Sequence, residues 1–202
     1  MQYGGGRHVA DLRELREDKT LQKATGLKAI PSDSGTGDWI LRSGKGEGIE
    51  GMGKVHTETD ILMLKMDTNE EYTLWADPTI IDLGDKDYAE KLYTGQEVDR
   101  PILVGLKELP IFVHYEYRKG NAMYFSIGVL TYNLMVAQKY FVIQEGMEHC
   151  TIATLRWKLV QIGAWIFGHS NRIRLKIATT VEKFNHYMRM LKRMEAIAAL
   201  PC

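Results

Sequence analysis

The feature that most constrains this chain is a stretch of eighteen residues without a charged side chain, 121–138, that follows a strand-like segment with almost no turn between them. The strand-like segment, IFVHYEYRKGN, covers residues 111–121. The uncharged stretch has the length and apolar content of a helix that is buried on most sides. Five polar residues interrupt it: Asn121, Ser126, Thr131, Asn133 and Gln138. Because a bilayer penalises polar groups without partners, we expect a core helix and no membrane insertion.

The first 56 residues indicate a small helical region followed by a glycine-rich linker. Apolar residues recur among charges over residues 8–28, at spacings that predict a short amphipathic helix interrupted near Asp18. Pro31, followed by Ser32 and Ser34, is typical of a turn or a helix start. Residues 46–51 match G-x-G-x-x-G by letter, but no apolar strand precedes them. We therefore interpret residues 43–56 as a linker or a poor helix.

Three segments in the middle of the chain predict an antiparallel meander of strands. The first, DILMLKMDTNEEY (60–72), contains an apolar run that ends at Asp67. The other two are RPILVGLKEL (100–109) and IFVHYEYRKGN (111–121), and the last of these alternates between two faces. With helices on both sides of the meander, the expected fold class is α/β, of the α+β type.

The C-terminal part of the chain, from residue 122, indicates helices around one basic strand. Steps of three and four residues predict a helix with a single apolar stripe, made of Ile152, Leu155, Leu159, Ile162 and Ile166. RIRLKI (172–177) alternates strictly, which predicts a strand with Arg172, Arg174 and Lys176 on one face. A final helix over 180–199 is expected to place Val181, Phe184, Met188, Leu191 and Met194 inward and Lys183, Arg189, Lys192 and Arg193 outward. Trp157 and Trp165 are expected in the core.

The charges of the chain balance in total but not along its length. Residues 58–99 hold twelve acidic residues against three basic ones, whereas residues 151–195 hold nine Lys or Arg against two Glu. This asymmetry favours an acidic region that attracts cations and a basic region that attracts phosphates, although a solvated helix face would also explain the basic part. Two cysteines without a C-x-x-C pair, and an N-terminus without a signal-peptide core, indicate a cytoplasmic protein.

Asp67 is the acidic residue with the clearest potential for chemistry. It ends a predicted hydrophobic strand, where a rigid backbone can hold a carboxylate against a metal ion, although the same position also suits a turn-forming residue. A two-metal site needs two or three convergent carboxylates. The acids that follow crowd into one loop and indicate a solvated surface: Glu70, Glu71, Asp77, Asp82, Asp85 and Asp87. The six histidines are dispersed and form no zinc motif.

Four blocks of the sequence resemble the DDE transposases of bacterial insertion sequences, in the group described as transposase DDE domain group 1. The block 4–42 is similar to the N-terminal helical region of the family, and LMLKMDTNE (62–70) is similar to its first catalytic strand. The block 91–121 is similar to the strand pair that follows, with its Tyr-x-Gly and closing Arg-x-Gly-Asn. NAMYFSIGVLTYNL (121–134), together with 151–177, is similar to the C-terminal helices and their basic strand.

The resemblance implies an RNase H-like fold and Mg²⁺-dependent cleavage and joining of DNA strands. The chain would then consist of an N-terminal helical region with its linker (1–56), a partial RNase H-like strand region (57–121) and a C-terminal helical region with a basic strand (122–202). Only Asp67 has a catalytic and metal-binding counterpart. The family carries a second Asp and a Glu between the Arg-x-Gly-Asn strand and the Asn-Ala-x-Tyr-Phe helix, but here the two motifs share Asn121, as if that segment had been deleted.

Three hypotheses for function follow from the resemblance and the charges. The first is a truncated transposase that is catalytically inactive, because one carboxylate cannot hold two metal ions in fixed geometry. The second is a non-catalytic fragment that binds the DNA of element ends and competes with intact transposase, using Arg172, Arg174, Lys176, Lys192 and Arg193 on phosphates. The third is a helical interaction protein. The loss of central strands would also expose sheet edges and favour a homodimer or other self-association.

Overall fold

The computed structural model describes residues 8–19, 22, 26–79, 81–82, 90–91, 97–116, 122–143, 146–147, 149–159, 163–169 and 172–200. Within these ranges helices and antiparallel strands are mixed, so the expected α+β class is confirmed at that level. The chain divides into two compact units. One combines Met1–Gly37 with Ala137–Cys202, and the other is Asp38–Val136.

The N-terminal segment contains a short helix, as its apolar spacing predicts. A 3-10 turn, Val9–Asp11, leads into α1, Leu12–Glu17, which ends at Asp18. The next helix, α2, covers Asp33–Ser43, and the Ser32 hydroxyl accepts a hydrogen bond from the Gly35 N–H at 3.0 Å. This bond satisfies one of the free N–H groups at the helix start. The helix start expected near Ser32 is therefore confirmed.

Helix α3, Glu47–Met66, confirms the helix alternative for residues 43–56 over the linker, and it replaces the first part of the predicted strand 60–72. The helix begins after Gly46, whose φ of 56° is a conformation that glycine adopts without steric cost. Its buried residues are His56, Asp60 and Met63, which recur at the helical steps of four and three. Two of these three are polar, whereas Ile61 and Leu62 are exposed. The strand prediction was wrong because it counted apolar residues alone.

The expected antiparallel meander is present, but its first strand lies further along the chain. The strands Leu74–Pro78 (β1), Ile102–Leu106 (β5) and Phe112–Glu116 (β6) form a three-stranded sheet in the order β1-β5-β6. The second and third strands predicted over 100–121 are thus confirmed, with the part beyond Glu116 outside the described residues. A smaller antiparallel sheet consists of Ile81–Asp82 (β2), Glu90–Lys91 (β3) and Glu97–Asp99 (β4), in the order β2-β4-β3.

A row of aromatic contacts crosses the three-stranded sheet at Gly105. Trp75 is the cross-strand neighbour of Gly105 in β1, and Phe112 is its neighbour in β6. A Cβ atom at position 105 would lie 2.6 Å from the indole ring of Trp75, so only glycine leaves room for the ring. The Trp75 and Phe112 rings meet edge to face with centroids 5.7 Å apart. The missing side chain therefore allows two aromatic rings from β1 and β6 to touch.

The uncharged stretch forms α4, Ala122–Ala137, which continues as a π-helical segment, Gln138–Ile143. The core helix predicted from this stretch is confirmed by its burial on several sides. The buried residues of α4 are Met123, Ser126, Val129, Asn133, Met135 and Val136. Among the helices in the described part of the chain, none combines the length and the apolar content that a membrane crossing needs.

Asn133 joins α4 to the outer edge of the sheet and to α3. Its side-chain oxygen accepts a hydrogen bond from the Phe112 N–H at 2.9 Å, and its Nδ2 donates to the Phe112 carbonyl at 2.8 Å. The same Nδ2 donates to Asp60 Oδ1 at 3.0 Å. Because β6 is an edge strand, the amide of Asn133 occupies the place that a further strand would take.

A second polar cluster lies one helical turn away on the same face of α3. His56 Nε2 lies 3.0 Å from the Ser126 carbonyl and 3.3 Å from the Ser126 hydroxyl, which is itself hydrogen-bonded to the Tyr115 hydroxyl. Burial lowers the pKa of His56, although the Ser126 carbonyl opposes this shift. A neutral imidazole that donates from Nε2 fits this environment. Ser126 is completely buried, so this cluster supports the packing of α3 against α4.

The unit that combines Met1–Gly37 with Ala137–Cys202, here called the C-terminal unit, packs around a small core of its own. It contains α5, Ile152–Leu159, the strands β7, Ala164–His169, and β8, Arg172–Ile177, and α6, Val181–Ala198. Its buried residues are Val142, Ile143, Leu155 and Met190. The strand over 172–177 and the final helix are confirmed. The helix predicted to reach Ile166 was wrong, since Ile166 lies in β7, and Ile162 is outside the described residues.

The orientation predicted for the final helix was also wrong. Val181, Phe184, Met188, Leu191 and Met194 are all exposed, and the core contacts of α6 come from Met190, Tyr187 and Ile197. Positions 187, 190 and 197 share a helix face at steps of three and seven and so fit a helical period as well as the predicted row, which means that periodicity alone did not select the face. Trp157 and Trp165, expected in the core, are exposed as well.

We expect Asn133→Ala to reduce the free energy of unfolding by about 2–4 kcal/mol, because each buried group left without a hydrogen-bond partner costs about 1–3 kcal/mol. Urea unfolding followed by circular dichroism measures the loss. Leu134→Ala is the matched control, since Leu134 neighbours Asn133 on α4 but is exposed. Equal effects of the two substitutions would contradict the role given to Asn133.

We expect Asp60→Asn to change how stability depends on pH. Burial raises the pKa of Asp60 from 3.8 to about 6, against the opposing effect of the Asn133 hydrogen bond. Because the folded state then holds a proton that the unfolded state releases, wild-type stability falls as pH rises through this window. An asparagine can still accept the bond from Asn133 but carries no charge.

Between about pH 4 and 7 the free energy of unfolding of wild type should therefore fall relative to that of Asp60→Asn. Urea titrations at several pH values give this difference. Glu58→Gln, an exposed carboxylate on the same helix, serves as the control for a general charge effect. A difference that stays constant across this range would argue against a buried, protonated Asp60.

Candidate nucleic-acid interface

The predicted basic strand forms an antiparallel hairpin with the strand before it. β7 and β8 pair from Ala164 opposite Ile177 to His169 opposite Arg172, and the Ala178 N–H donates to the Gly163 carbonyl at 3.0 Å. Only Ser170 and Asn171 separate the two strands in the sequence. Residues that stand opposite each other in such a hairpin share a face. The register therefore decides which residues accompany the cations of β8.

Trp165 stands directly opposite Lys176 on this hairpin. The indole is 74% exposed, and the side chains of Lys176 and Arg174 are exposed too. Arg174 lies two residues before Lys176 and so occupies the same face. Arg172 holds the next alternate position, but its side chain is outside the described part of the chain. The hairpin thus presents one solvent-accessible aromatic ring beside two cations, which we call the Trp165 face.

The other two residues predicted to contact phosphates lie on α6. Lys192 is exposed. Arg193 is partly buried, and its Nη1 donates to the carbonyl oxygens of Val142 and Ile143 at 3.0 and 3.1 Å. These are the last carbonyls of the π-helical segment, where a cation is favourable. The prediction that Arg193 faces outward was therefore wrong, because its guanidinium caps a helix end.

Asp67 follows a helix and not a strand. It is the C-terminal cap of α3, and its carboxylate accepts hydrogen bonds from the Thr68 N–H at 2.8 Å, from Asn69 Nδ2 at 3.0 Å and from the Tyr72 hydroxyl at 3.0 Å. Partial burial raises the pKa of Asp67, but these hydrogen bonds outweigh burial and lower it below its usual value. An ionised Asp67 thus holds the turn that leaves the helix.

The groups in contact with the Asp67 carboxylate are hydrogen-bond donors and not further carboxylates. A hard cation needs several oxygen ligands, whereas the groups that meet this carboxylate are an N–H, an amide NH₂ and a hydroxyl that donates. In the described ranges no group of three or more His, Cys, Asp or Glu side chains is placed to share a metal ion. Asp82 has no described side chain, and Asp85 and Asp87 lie outside the described residues.

Trp165 is the candidate residue that the sequence interpretation missed. The apolar stripe predicted for a helix runs from Ile152 to Ile166 and therefore includes the first residues of the strand AWIFGH. The sequence does contain a signal for the hairpin, because two alternating segments separated by only two polar residues are typical of a tight turn between strands. Once His169 pairs with Arg172, the alternation of the two strands sets Trp165 opposite Lys176.

Fold and interface together define a mixed helix-and-sheet protein that carries an exposed basic and aromatic hairpin. Comparisons of the chain with protein-family models, with curated proteins and with solved structures give no match. The function of the chain must therefore be inferred from its own residues.

Proposed function

We propose that this chain binds DNA through the Trp165 face, as a transposase-derived protein that does not itself cut or join strands. The observation that carries the proposal is the exposed Trp165 opposite Lys176, with Arg174 on the same face. Aromatic rings stack on unpaired bases of any sequence, and neighbouring cations follow the phosphates. DNA with unpaired bases is therefore the preferred ligand.

The charge distribution supports the same ligand. Nine Lys or Arg against two Glu over residues 151–195 give this segment a positive field that attracts phosphates over several ångströms. Binding that depends on phosphate contacts weakens as salt rises, because each contact releases condensed counterions. A fragment of this kind could compete with an intact transposase for the ends of a mobile element.

The origin from an RNase H-like DDE transposase belongs to the proposal and is supported by the resemblance of three sequence blocks, since the remaining block, 62–70, ends a helix in place of the strand that the resemblance implies. The antiparallel order β1-β5-β6 is compatible with part of such a fold. Lack of cleavage is supported by the number of carboxylates: Asp67 is the one residue with a catalytic counterpart in the resemblance, and a two-metal site needs two or three.

A helical interaction protein that forms a homodimer is the second candidate, and the exposed apolar row of α6 favours it. This row consists of Val181, Phe184, Met188, Leu191 and Met194. An exposed apolar row costs less free energy when a second surface covers it. Self-association and DNA binding are separable, because the row lies on α6 and the Trp165 face lies on the hairpin.

We expect Trp165→Ala to weaken binding of a single-stranded oligonucleotide by about 1–3 kcal/mol, which is the typical contribution of one stacked base. Arg174→Gln with Lys176→Gln should reduce the slope of log affinity against log salt by about 1.4, since each phosphate contact contributes about 0.7 on single strands. Gel-shift titrations over a salt series measure both effects, with duplex and tailed oligonucleotides compared.

Trp39→Ala and Lys54→Gln are the matched controls, because both side chains are exposed on helices away from the hairpin in sequence. Neither should change affinity or salt slope. Absence of any shift at low salt would remove the DNA-binding proposal. Concentration-dependent dimers that Leu191→Lys dissolves would then favour the helical interaction protein.

We expect no product in a strand-transfer assay with Mg²⁺ or Mn²⁺, because a lone carboxylate engaged by three donors cannot hold a pair of metal ions. An oligonucleotide carrying the ends of a related element serves as the substrate, and an intact transposase as the positive control. Cleavage that disappears in Asp67→Asn would show that the chain is an active nuclease.

A further inference from the structure

A cavity of about 700 Å³ lies between α5 and the first half of α6. Its volume falls in the range of roughly 300–1,000 Å³ that is usual for small-molecule sites. The lining residues include Trp157, Lys158, Lys183, His186, Tyr187 and Arg189. None of them belongs to the Trp165 face, so the cavity is a feature distinct from the hairpin.

One atom in the cavity wall lacks the interaction that its burial demands. His186 Nε2 is buried and has no hydrogen-bond partner among the described residues. Buried polar atoms are nearly always paired, and an unpaired one is commonly satisfied by a ligand or an ordered water. This nitrogen is closed to solvent, so a ligand in the open cavity reaches it only when the His186 ring rotates.

The remaining lining groups match the other parts of a nucleotide. The indole of Trp157 is 67% exposed and offers a flat apolar surface on which a base can stack. Lys183 is exposed, and Lys158 and Arg189 add positive charge to the same wall, where Glu182 is the acid among the described lining residues. An aromatic surface and several cations around one cavity are the groups that recognise a base and a phosphate.

We infer that this cavity binds one nucleotide unit, with its base on Trp157 and its phosphate on Lys183. The inference rests on the proposed DNA binding and extends it, since the unit bound would be an unpaired or terminal nucleotide of the strand held by the hairpin. A free mononucleotide offers the same chemistry. The two sources differ in whether the sugar is joined to further phosphates.

Equilibrium dialysis with radiolabelled 2′-deoxyadenosine 5′-monophosphate tests the cavity directly on the full chain. We expect saturable binding that Trp157→Ala and Lys183→Gln each weaken by about tenfold, which is within the usual effect of one stacked base or one charged contact. Trp157→Phe should restore most of the affinity, because the ring remains. Circular dichroism confirms that each variant is folded.

Deoxyadenosine without its phosphate separates a ligand contact from a structural role of Lys183. It should bind about tenfold more weakly than the monophosphate, and Lys183→Gln should not weaken it further. Equal binding of the two ligands, or equal sensitivity to Lys183→Gln, would overturn the assignment of the phosphate. Absence of saturable binding of the monophosphate would overturn the site.

Oligonucleotides with and without a 5′-phosphate distinguish the two sources of the nucleotide. Tighter binding of the phosphorylated strand, lost in Lys183→Gln, supports a terminal unit, whereas binding of the monophosphate alone supports a free nucleotide. Trp165→Ala and Lys176→Gln should leave monophosphate binding unchanged. If these two variants abolish oligonucleotide binding and the monophosphate does not bind, the cavity inference fails and the proposed function stands. If the monophosphate binds but the two variants leave oligonucleotide binding unchanged, the hairpin proposal fails.

Discussion

The double hydrogen bond between the Asn133 side chain and the backbone of Phe112 is the interaction on which the unit Asp38–Val136 depends. It gives the open edge of β6 the donor and acceptor that another strand would supply. The third bond, from Asn133 to Asp60, brings in α3. Because one amide group meets a strand and a second helix, the angle and register of α4 cannot change without breaking these contacts.

The buried face of α3 follows from this arrangement. His56 and Asp60 can lie inside only because Ser126 and Asn133 on α4 meet them with polar groups. Without those groups, burial of a carboxyl and an imidazole would cost several kilocalories per mole, on the order of 1–3 for each unpaired group. Polar residues therefore determine the orientation of a helix whose apolar residues Ile61 and Leu62 remain in solvent.

The C-terminal unit combines a modest core with a large exposed aromatic and basic surface. Trp157 and Trp165 contribute little to folding, since both rings are mostly in solvent, and each stands near lysine side chains. Arg193 differs from the other cations because its guanidinium is engaged with helix carbonyls. Cations that stabilise the fold and cations that remain accessible can thus be separated residue by residue.

Local patterns predicted the core helix α4, the strands β5, β6 and β8, and the extent of the final helix, since apolar periodicity and turn residues act between near neighbours. They left residues 43–56 open between a linker and a poor helix and predicted a strand over 60–72, because two of the three buried residues of α3, His56 and Asp60, are polar and their partners lie 70 and 73 positions away. They also assigned the wrong row of α6 to the core. Tertiary structure decided these points, because a buried polar group is stable only where a distant partner meets it, and the face that a helix buries depends on packing that no single helix contains.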